Sequence, residues 1–371
     1  MRVMARSLAL YLCAALLIPL LAREVAACTG ITLRARDGSV VVARTNEWAL
    51  GDMDLKIGVF PRGRAYVAQT PDGQPGRSWK GAYGFVSMTA YGQPYGPDGM
   101  NEAGLSVGMF YLPGYAEYAP YQPSLASETM SVGDLMQWML SSFATVAEVR
   151  AQLAQARVCN VEDPRFGGAP LPFHWKVTDP SGAGLVIEYV RGGVLTTYEP
   201  TLGVITNSPT YDWHVTNLNN YLKLSPEPAR SIQSEGRTFG PFGAGSGMVG
   251  LPGDFSPPSR FVRAAALTAT ARPLADAQEA LDESFRILDS FNIPLGAVLT
   301  KDKLPQDIAS ATQITSSSDL SRRIYCFHTQ WNRRVRSIDL KAIDFATVPL
   351  QFLPVDPERA QDIEVLQVSR D

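Results

Sequence analysis

The chain has 371 residues, of which 45% are hydrophobic and 19% are charged, so it can bury a sizeable apolar core. Its formal net charge of −3 provides no surplus of basic residues for binding nucleic acid or an anionic membrane, and we expect neither as a partner. No repeat, low-complexity tract or linker divides the chain. We therefore expect one domain, residues 28–371, behind an N-terminal leader.

The leader has the pattern of a secretory signal peptide. A start with two arginines precedes an apolar run over residues 8–22, which is shorter than the about 20 residues that a membrane span needs. Residues 25–27, Val-Ala-Ala, then provide the small side chains of a cleavage site before Cys28. This pattern predicts removal of residues 1–27, and a protein that is secreted or periplasmic and begins at Cys28.

A second interpretation of the same residues is a lipid anchor. The tetrapeptide VAAC also suits lipoprotein processing, which would acylate Cys28 and tie the protein to a membrane. Arg23 and Glu24 lie close before the cleavage site and favour an ordinary signal peptide. Cleavage would leave Cys28, Cys159 and Cys326, an odd number that cannot be fully paired. A Cys159–Cys326 disulfide would leave Cys28 free, but the sequence does not establish that pair.

After Cys28 the chain predicts a β-hairpin. Asp37-Gly38 lies between two strand-like runs, as in a two-residue turn. Such a turn pairs Arg36 with Ser39, sets Cys28 opposite Glu47 and points Arg44 to the other face of the sheet. A longer turn or a bulge would reverse this parity and bring Arg44 to the side of Cys28.

Further elements follow in blocks of strands and helices. Residues 61–82 are loop-like, and Ser131 and Thr145 each begin a helix with an acidic residue three positions later. Other predicted strands lie at 104–112, 173–179, 184–190, 193–199, 202–208, 323–330 and 334–340, and other helices at about 260–272 and about 274–290. Such blocks favour an α+β fold with antiparallel sheets over a doubly wound one.

The chemistry-bearing residues point to a thiol and away from a metal. His174, His214 and His328 have no ligand spacing, and structural roles are expected for all three, so we expect no metal or other cofactor. No histidine follows Cys28 at a papain-like spacing. As the first residue of the mature chain, however, Cys28 would carry its own base, the α-amino group.

Four stretches, in order, resemble the choloylglycine hydrolase and penicillin V acylase family of N-terminal nucleophile hydrolases. They are CTGITLRARDGSVVVARTNEW (28–48), DGMNEAGLSVGMFY (98–111), GVITNSPTYDWHVTNLNNY (203–221) and GLPGDFSPPSRFVRAAAL (250–267). The C-terminal stretch DLSRRIYCFHTQWNRRVRSIDL also fits the family. The resemblance implies a four-layer αββα sandwich and a cysteine amidase that cleaves linear amide C–N bonds.

The resemblance also implies a role for each site residue. Cys28 would be the nucleophile, with Arg44 beside its thiol and Arg260 as a second site arginine. Glu47 stands where the family usually has an aspartate that contacts the nucleophile residue. The side-chain amide of Asn207 and the backbone N–H of Tyr111 would hold the oxyanion.

The residues around Tyr111 bear on the substrate. Bile salt hydrolases often have asparagine at this position, and some penicillin V acylases have tyrosine. Together with Met109 and Phe110, Tyr111 favours an aromatic or acyl pocket over a steroid pocket. The expected substrate is a small N-acyl amide, such as penicillin V or an N-acyl homoserine lactone. Conjugated bile salts remain an alternative, as does an inactive, lipid-anchored binding protein. The resemblance further suggests a homotetramer.

Overall fold

The computed structural model describes residues 27–48, 52–162, 171–298 and 311–368. The predicted signal peptide, apart from its last residue, lies outside these ranges. Cys28, Cys159 and Cys326 are all described and all buried as free cysteines, so the structure does not form the Cys159–Cys326 disulfide.

The described strands are numbered in chain order. They are β1 (Ala27–Arg34), β2 (Val40–Trp48), β3 (Lys56–Phe60), β4 (Ala65–Val67), β5 (Ser78–Lys80), β6 (Phe85–Thr89), β7 (Asp98–Asn101), β8 (Ser106–Tyr111), β9 (Thr129–Met130), β10 (Arg157–Val158), β11 (Phe173–Thr178), β12 (Gly184–Val190), β13 (Val194–Tyr198), β14 (Ile232–Ser234), β15 (Arg237–Phe239), β16 (Ala311–Asp319), β17 (Ile324–Thr329), β18 (Arg336–Asp339) and β19 (Gln351–Pro354).

The described α-helices are α1 (Val132–Ser142), α2 (Val146–Leu153), α3 (Tyr211–Asn217), α4 (Pro257–Thr270) and α5 (Ala277–Asp289). The two predicted capping boxes are confirmed: Ser131 with Asp134 begins α1, and Thr145 with Glu148 begins α2. Short 3₁₀ turns cover Pro123–Glu128, Leu218–Tyr221, Ala244–Met248 and Leu340–Ala342.

Two antiparallel sheets form the centre of the fold. One has five strands in the order β1-β2-β16-β17-β18, and the other has eight in the order β13-β12-β11-β8-β7-β6-β3-β19. Helices α4 and α5 pack on the five-stranded sheet, and α1 and α2 pack on the eight-stranded sheet. This arrangement confirms the predicted four-layer αββα sandwich.

Apolar side chains fill each interface between layers. Val40, Met88 and Tyr325 belong to the core between the two sheets. Leu135 and Trp175 belong to the core under α1 and α2. A third cluster, which includes Ile31 and Phe261, joins the five-stranded sheet to α4 and α5 and reaches Cys28.

The predicted two-residue turn between β1 and β2 is wrong. The backbone N–H of Ala35 donates to the Ser39 carbonyl at 2.9 Å, so the loop holds three residues and ends at Gly38, whose φ is +88°. The backbone N–H of Arg36 donates instead to the Leu274 carbonyl at 2.9 Å, which removes Arg36 from the predicted pair. The longer turn shifts the register by one residue, as in the alternative described above.

Three other local predictions need correction. Residues 202–208 do not form a strand; only Ile205 makes an isolated bridge, to Gly30. Helix α4 begins at Pro257, before the predicted start, with Ser256 as N-cap. Residues 61–82, predicted as loop, contain the short hairpin β4–β5, and five strands of the two large sheets were not predicted, namely β3, β6, β7, β16 and β19.

Candidate active site

Cys28 lies at the start of β1, and its Sγ and its backbone nitrogen each lie beside a different asparagine. The residue is buried, with 2% of its surface exposed. Its Sγ is 3.4 Å from Oδ1 of Asn46, which lies directly opposite on β2. Its backbone N–H donates to Oδ1 of Asn207 at 2.7 Å. The thiol and the nitrogen of one residue therefore share one enclosed polar site.

Arg44 lies on the same face of β2 as Asn46, because strand residues two apart point the same way. Its Nη1 donates to the carbonyls of Pro97 and Met109, both at 2.5 Å, and its Nη2 donates to Oδ1 of Asn46 at 3.2 Å. The guanidinium also sits 4.2 Å from the centre of the Phe110 ring. None of these partners is a carboxylate, so the positive charge of Arg44 can act on the neighbouring thiol.

The electrostatics of the thiol are mixed. Burial raises the pKa of the Cys28 thiol above its ordinary value. The positive charge of Arg44 opposes this effect, whereas the charge of Glu47 adds to it. Arg260 and a hydrogen bond from the Tyr111 backbone N–H also favour the thiolate. Because burial dominates, the thiol is mainly protonated near neutral pH, and nucleophilic attack requires a base close to Sγ.

Asn207 is held from several sides. Its Oδ1 accepts from the Cys28 backbone at 2.7 Å and from Nη2 of Arg260 at 2.6 Å. Its Nδ2 donates to the Tyr111 carbonyl at 2.8 Å. Since an amide nitrogen carries two hydrogens, the second can donate to an oxyanion, the role predicted for this side chain.

Arg260, fully buried in the first turns of α4, links three parts of the site. Its Nη1 donates to the carbonyl of Cys28 and to Oγ1 of Thr29, the latter at 2.9 Å. Its Nε donates to the Phe255 carbonyl at 2.9 Å. The guanidinium therefore fixes the backbone of the nucleophile residue relative to Asn207.

Glu47 occupies a different position from the one that the two-residue turn predicted. In the observed register it lies opposite Ala27, on the face of β2 away from Asn46, and its Oε1 accepts from Oγ1 of Thr312 at 2.9 Å. Burial raises the pKa of Glu47, and the nearby charge of Arg260 opposes that rise. Glu47 thus acts on Cys28 through its charge, and its hydrogen-bond partner is Thr312.

Among the three residues predicted to line the substrate pocket, only Met109 lines the apolar pocket that adjoins Asn46. Phe110 points the opposite way, because side chains alternate along β8, and packs under Arg44 and beside Gly30. Phe110 therefore lies outside the lining of this pocket, and its predicted contact with substrate stays a prediction. Tyr111 packs edge-on against two walls of the pocket, Trp48 and Phe173, with ring centres 5.5 and 5.8 Å apart.

The pocket is aromatic and thioether-rich. It lies between β2, the segment before β7, and β8, and it opens beside Asn46. Its lining is Asn46, Trp48, Met53, Ala90, Tyr91, Gln93, Tyr95, Gly96, Pro97, Met109, Leu171 and Phe173. A wider groove, lined by residues such as Arg36 and Leu274, lies at the far end of β1, but it includes none of the predicted catalytic residues. We assign the chemistry to the aromatic pocket because its lining includes Asn46, whose side chain contacts Sγ of Cys28.

The sequence interpretation missed Asn46 as a member of the site. The signal was present, since Asn46 lies two residues after Arg44 and must share its face of a strand. It also missed the contacts of His174 and His214 with the backbone near Asn207, at 3.1 and 2.9 Å. Those contacts join residues from separate elements, so no local pattern could reveal them.

None of the helices in the described ranges is long and apolar enough to span a membrane. Across the same ranges, no cluster of three histidine, cysteine or acidic side chains has the arrangement of a metal site.

Comparison with known proteins identifies the family. Residues 28–351 match the family model of linear amide C–N hydrolases, choloylglycine hydrolase family. A bile salt hydrolase/transferase from Clostridium perfringens is 30% identical over 84% of this chain and 92% of its own length. A penicillin V acylase from Pectobacterium atrosepticum is 28% identical over 82% of this chain and 78% of its own length.

Solved structures agree with the sequence comparison. A mutant of conjugated bile acid hydrolase from Clostridium perfringens superimposes with a TM-score of 0.77 and 26% identity, covering 92% of this chain and all of the other. The match begins at the residue that the site geometry places at its centre, Cys28. The chain therefore belongs to the choloylglycine hydrolase family of linear amide C–N hydrolases and is a hydrolase of linear amides.

Proposed function

We propose that the protein is exported, is cleaved before Cys28, and hydrolyses small N-acyl amides through a thioester on Cys28. The observation that carries this proposal is a pair of contacts made by Cys28. Its Sγ contacts Asn46, and its backbone nitrogen lies 2.7 Å from Oδ1 of Asn207. A free amine at that nitrogen would lie beside the thiol and inside the same buried site.

The proposed maturation supplies the missing base. Burial raises the pKa of the thiol, so a proton acceptor is required, and in the described ranges none of the three histidines hydrogen-bonds to Sγ. Cleavage of the Ala27–Cys28 peptide bond would create an α-amino group whose ordinary pKa is near 8. That amine shares a Cα with the thiol and can take its proton directly or through one water.

The chemical steps follow from these positions. The amine removes the thiol proton, and the thiolate attacks the amide carbonyl to form a C–S bond. Asn207 Nδ2 and the Tyr111 N–H hold the negative oxygen of the tetrahedral intermediate. The ammonium then returns its proton to the leaving nitrogen as the C–N bond breaks. Water, deprotonated by the same amine, attacks the thioester, releases the carboxylic acid and restores the thiol.

The pocket favours an apolar acyl group. Its walls are aromatic and thioether side chains, and a compact aromatic or acyl chain could pack against Trp48 and Phe173 beside Asn46. This supports phenoxyacyl or fatty acyl amides as the substrate class, such as penicillin V or an N-acyl homoserine lactone. Bile salts are the second candidate, because relatives of 30% identity carry the name bile salt hydrolase.

A product assay on purified protein separates these candidates. Penicillin V, a glycine-conjugated bile salt and a long-chain acyl homoserine lactone are offered in parallel, and released amine is measured. We expect kcat/KM at least about tenfold higher for one of the two acyl substrates than for the bile salt, a difference of about 1.4 kcal/mol. A preference for the bile salt would overturn the proposed substrate class but leave the mechanism standing.

An alternative keeps the fold without activity, as a lipid-anchored binding protein that uses Cys28 as its acylation site. This version predicts incorporation of labelled palmitate and partition into a detergent phase. An active, unlipidated preparation would exclude it.

We further propose a homotetramer. The segment over residues 222–249 exposes large apolar side chains, among them Leu222, Phe242 and Val249, which a second copy of the chain could cover. Light scattering coupled to size-exclusion chromatography should give four times the mass of one mature chain. Phe242→Ser should reduce that mass, and a monomeric wild-type protein would contradict this proposal.

A further inference from the structure

Two of the three histidines of the chain contact the backbone of Asn207 and the residue before it. Nε2 of His174 lies 3.1 Å from the carbonyl oxygen of Thr206, and Nε2 of His214 lies 2.9 Å from that of Asn207. The rings come from different elements, β11 and α3. Both are buried, with 1% and 2% of their surfaces exposed.

These contacts replace strand pairing. In the described part of the chain, the backbone of this segment pairs with the backbone of β1 only at Ile205, whose N–H and carbonyl bond with Gly30 at 3.0 and 2.8 Å. Beyond Ile205 the segment leaves the ladder, and its next two carbonyls accept hydrogen bonds from imidazole rings. A buried carbonyl requires a donor, so Nε2 carries the hydrogen in both rings.

His174 forms a buried pair with Glu188 on β12. Its Nδ1 lies 3.0 Å from Oε1 of Glu188, and the same oxygen accepts from the Tyr211 backbone N–H at 3.0 Å. Because Nε2 of His174 already donates, one further proton must lie between Nδ1 and Oε1. The pair is then either an imidazolium with a carboxylate or a neutral ring with a carboxylic acid. Either form is neutral overall and keeps the donor to Thr206.

His214 is held as a neutral donor. Its ring stacks on Phe261 of α4, with ring centres 4.8 Å apart and 11° between the planes. Burial lowers the pKa of His214 to about 4. The ring therefore remains uncharged at neutral pH and continues to donate to the Asn207 carbonyl.

We propose that His174, supported by Glu188, and His214 are positioning residues for Asn207. They fix the two peptide groups that flank the Cα of Asn207, one through the Thr206 carbonyl and one through the Asn207 carbonyl. That backbone in turn sets Oδ1 against the Cys28 nitrogen and Nδ2 toward the oxyanion. The inference rests on the proposed function, since it assigns a role to Asn207 in that reaction. Neither ring lines the substrate pocket, so both act on rate and not on substrate binding.

The principal test replaces His214 in two ways. His214→Leu removes the donor, and we expect kcat to fall about 10- to 100-fold because the oxyanion donor is displaced. KM should change by less than about twofold, since no pocket contact is lost. In His214→Gln an amide N–H can replace Nε2–H, so kcat should recover to within about threefold of wild type. His328→Leu is the matched control, a buried histidine on β17, and should leave kcat unchanged.

Glu188→Gln provides a second variant of nearly unchanged shape. A glutamine oxygen can accept from the Tyr211 N–H, but that orientation cannot also supply the proton shared with His174. His174 must then donate through Nδ1, which turns a bare Nε2 toward the Thr206 carbonyl. We expect a fall in kcat similar to that of His214→Leu, with KM retained. This variant tests the inference even when His214→Leu does not fold.

A double-mutant cycle shows whether the effect passes through Asn207. Asn207→Ala alone should lower kcat, and adding His214→Leu should lower it no further. Three outcomes would overturn the inference. The losses in kcat of Asn207→Ala and His214→Leu could multiply in the double variant, the variants could change KM alone, or both His214→Leu and Glu188→Gln could keep wild-type kcat. Dependence on Cys28 is measured in the same series. Activity that survives Cys28→Ala would refute the proposed function itself, whereas a Cys28-dependent enzyme indifferent to these variants would refute only the positioning role.

Discussion

The two edges of β1 hold the active site in different ways. Along one edge, β2 pairs continuously from Glu47 opposite Ala27 to Val40 opposite Arg34. Along the other edge, the segment that carries Asn207 makes a single bridge, at Ile205. The ladder places Arg44 and Asn46 through backbone pairing, whereas Asn207 depends on hydrogen bonds from other side chains.

This difference predicts different consequences of mutation. A change in the ladder disturbs the continuous pairing between β1 and β2 of the five-stranded sheet and should lower the free energy of unfolding. A change around Asn207 disturbs a few hydrogen bonds at the sheet edge and should lower the rate first.

Cys28→Ala removes the nucleophile at the point where the two regions meet. We expect amide hydrolysis to fall at least about a thousandfold, because the remaining groups have no atom that can form the thioester. The small buried side chain loses only its sulfur, so both regions should keep their structure. Product release is measured alongside thermal unfolding. Retained activity, or loss of the folded state, would contradict the prediction.

Gly30→Ala should perturb both regions together. An added Cβ at this position would lie 2.7 Å from Cζ of Phe110 and 2.8 Å from Cγ2 of Ile205. Phe110 lies under Arg44, and Ile205 anchors the segment of Asn207. We expect a loss of about 2 kcal/mol in the free energy of unfolding, measured by denaturant titration, together with reduced kcat.

Gly245→Ala is the control for that experiment, because an added Cβ there would meet no atom within 4 Å. It should change neither quantity. A Gly30→Ala variant with the wild-type free energy of unfolding would contradict this prediction, because the two regions could then move apart without loss of stability.

Acidification should weaken the fold through two buried histidines, His214 beside Asn207 and His328 on β17. Burial lowers the pKa of both His214 and His328 from 6.5 to about 4. A lowered folded-state pKa gives stability that is present above pH 6.5 and is lost as the pH falls toward 4. Each ring should contribute a loss of about 1 kcal/mol between pH 7 and pH 5.5.

Replacing either histidine with glutamine should remove that histidine's contribution to the loss of unfolding free energy between pH 7 and pH 5.5. Denaturant titrations of His214→Gln and His328→Gln at both pH values, against wild type, measure the difference. Glu47, whose pKa is raised, titrates with the opposite sign but cancels in this comparison. Equal acid losses in wild type and both variants would contradict the assignment.

The sequence predicted the layered fold for reasons that the structure makes clear. Capping boxes and strand runs are local signals, and they located α1, α2 and the strands β1, β2, β8, β11, β12, β13, β17 and β18. Cys28, Arg44, Asn207 and Arg260 come from ordered blocks that resemble one family, so the resemblance brought together residues far apart in the chain. The structure then places these four side chains in one site.

Other features could not be predicted because tertiary contacts decide them. The turn after β1 has an extra residue because the Arg36 N–H bonds to Leu274, far along the chain. Strand β16 is buried along its whole length yet rich in serine and threonine, and its hydroxyls find partners such as Glu47 and Ser284. Phe110 is a different case, because the alternation of side chains along β8 is a local pattern, and it turns Phe110 away from the aromatic pocket.

The mass of the N-terminal peptide shows whether Cys28 is both the first residue of the mature chain and the residue that carries the acyl group. Purified wild-type protein is mixed briefly with its best substrate, quenched in acid, digested and analysed by mass spectrometry. We expect an N-terminal peptide that begins at Cys28, carries no lipid, and gains the mass of the acyl group on this residue. An active preparation whose first peptide begins before Cys28, or whose acyl group lies on another residue, would contradict it.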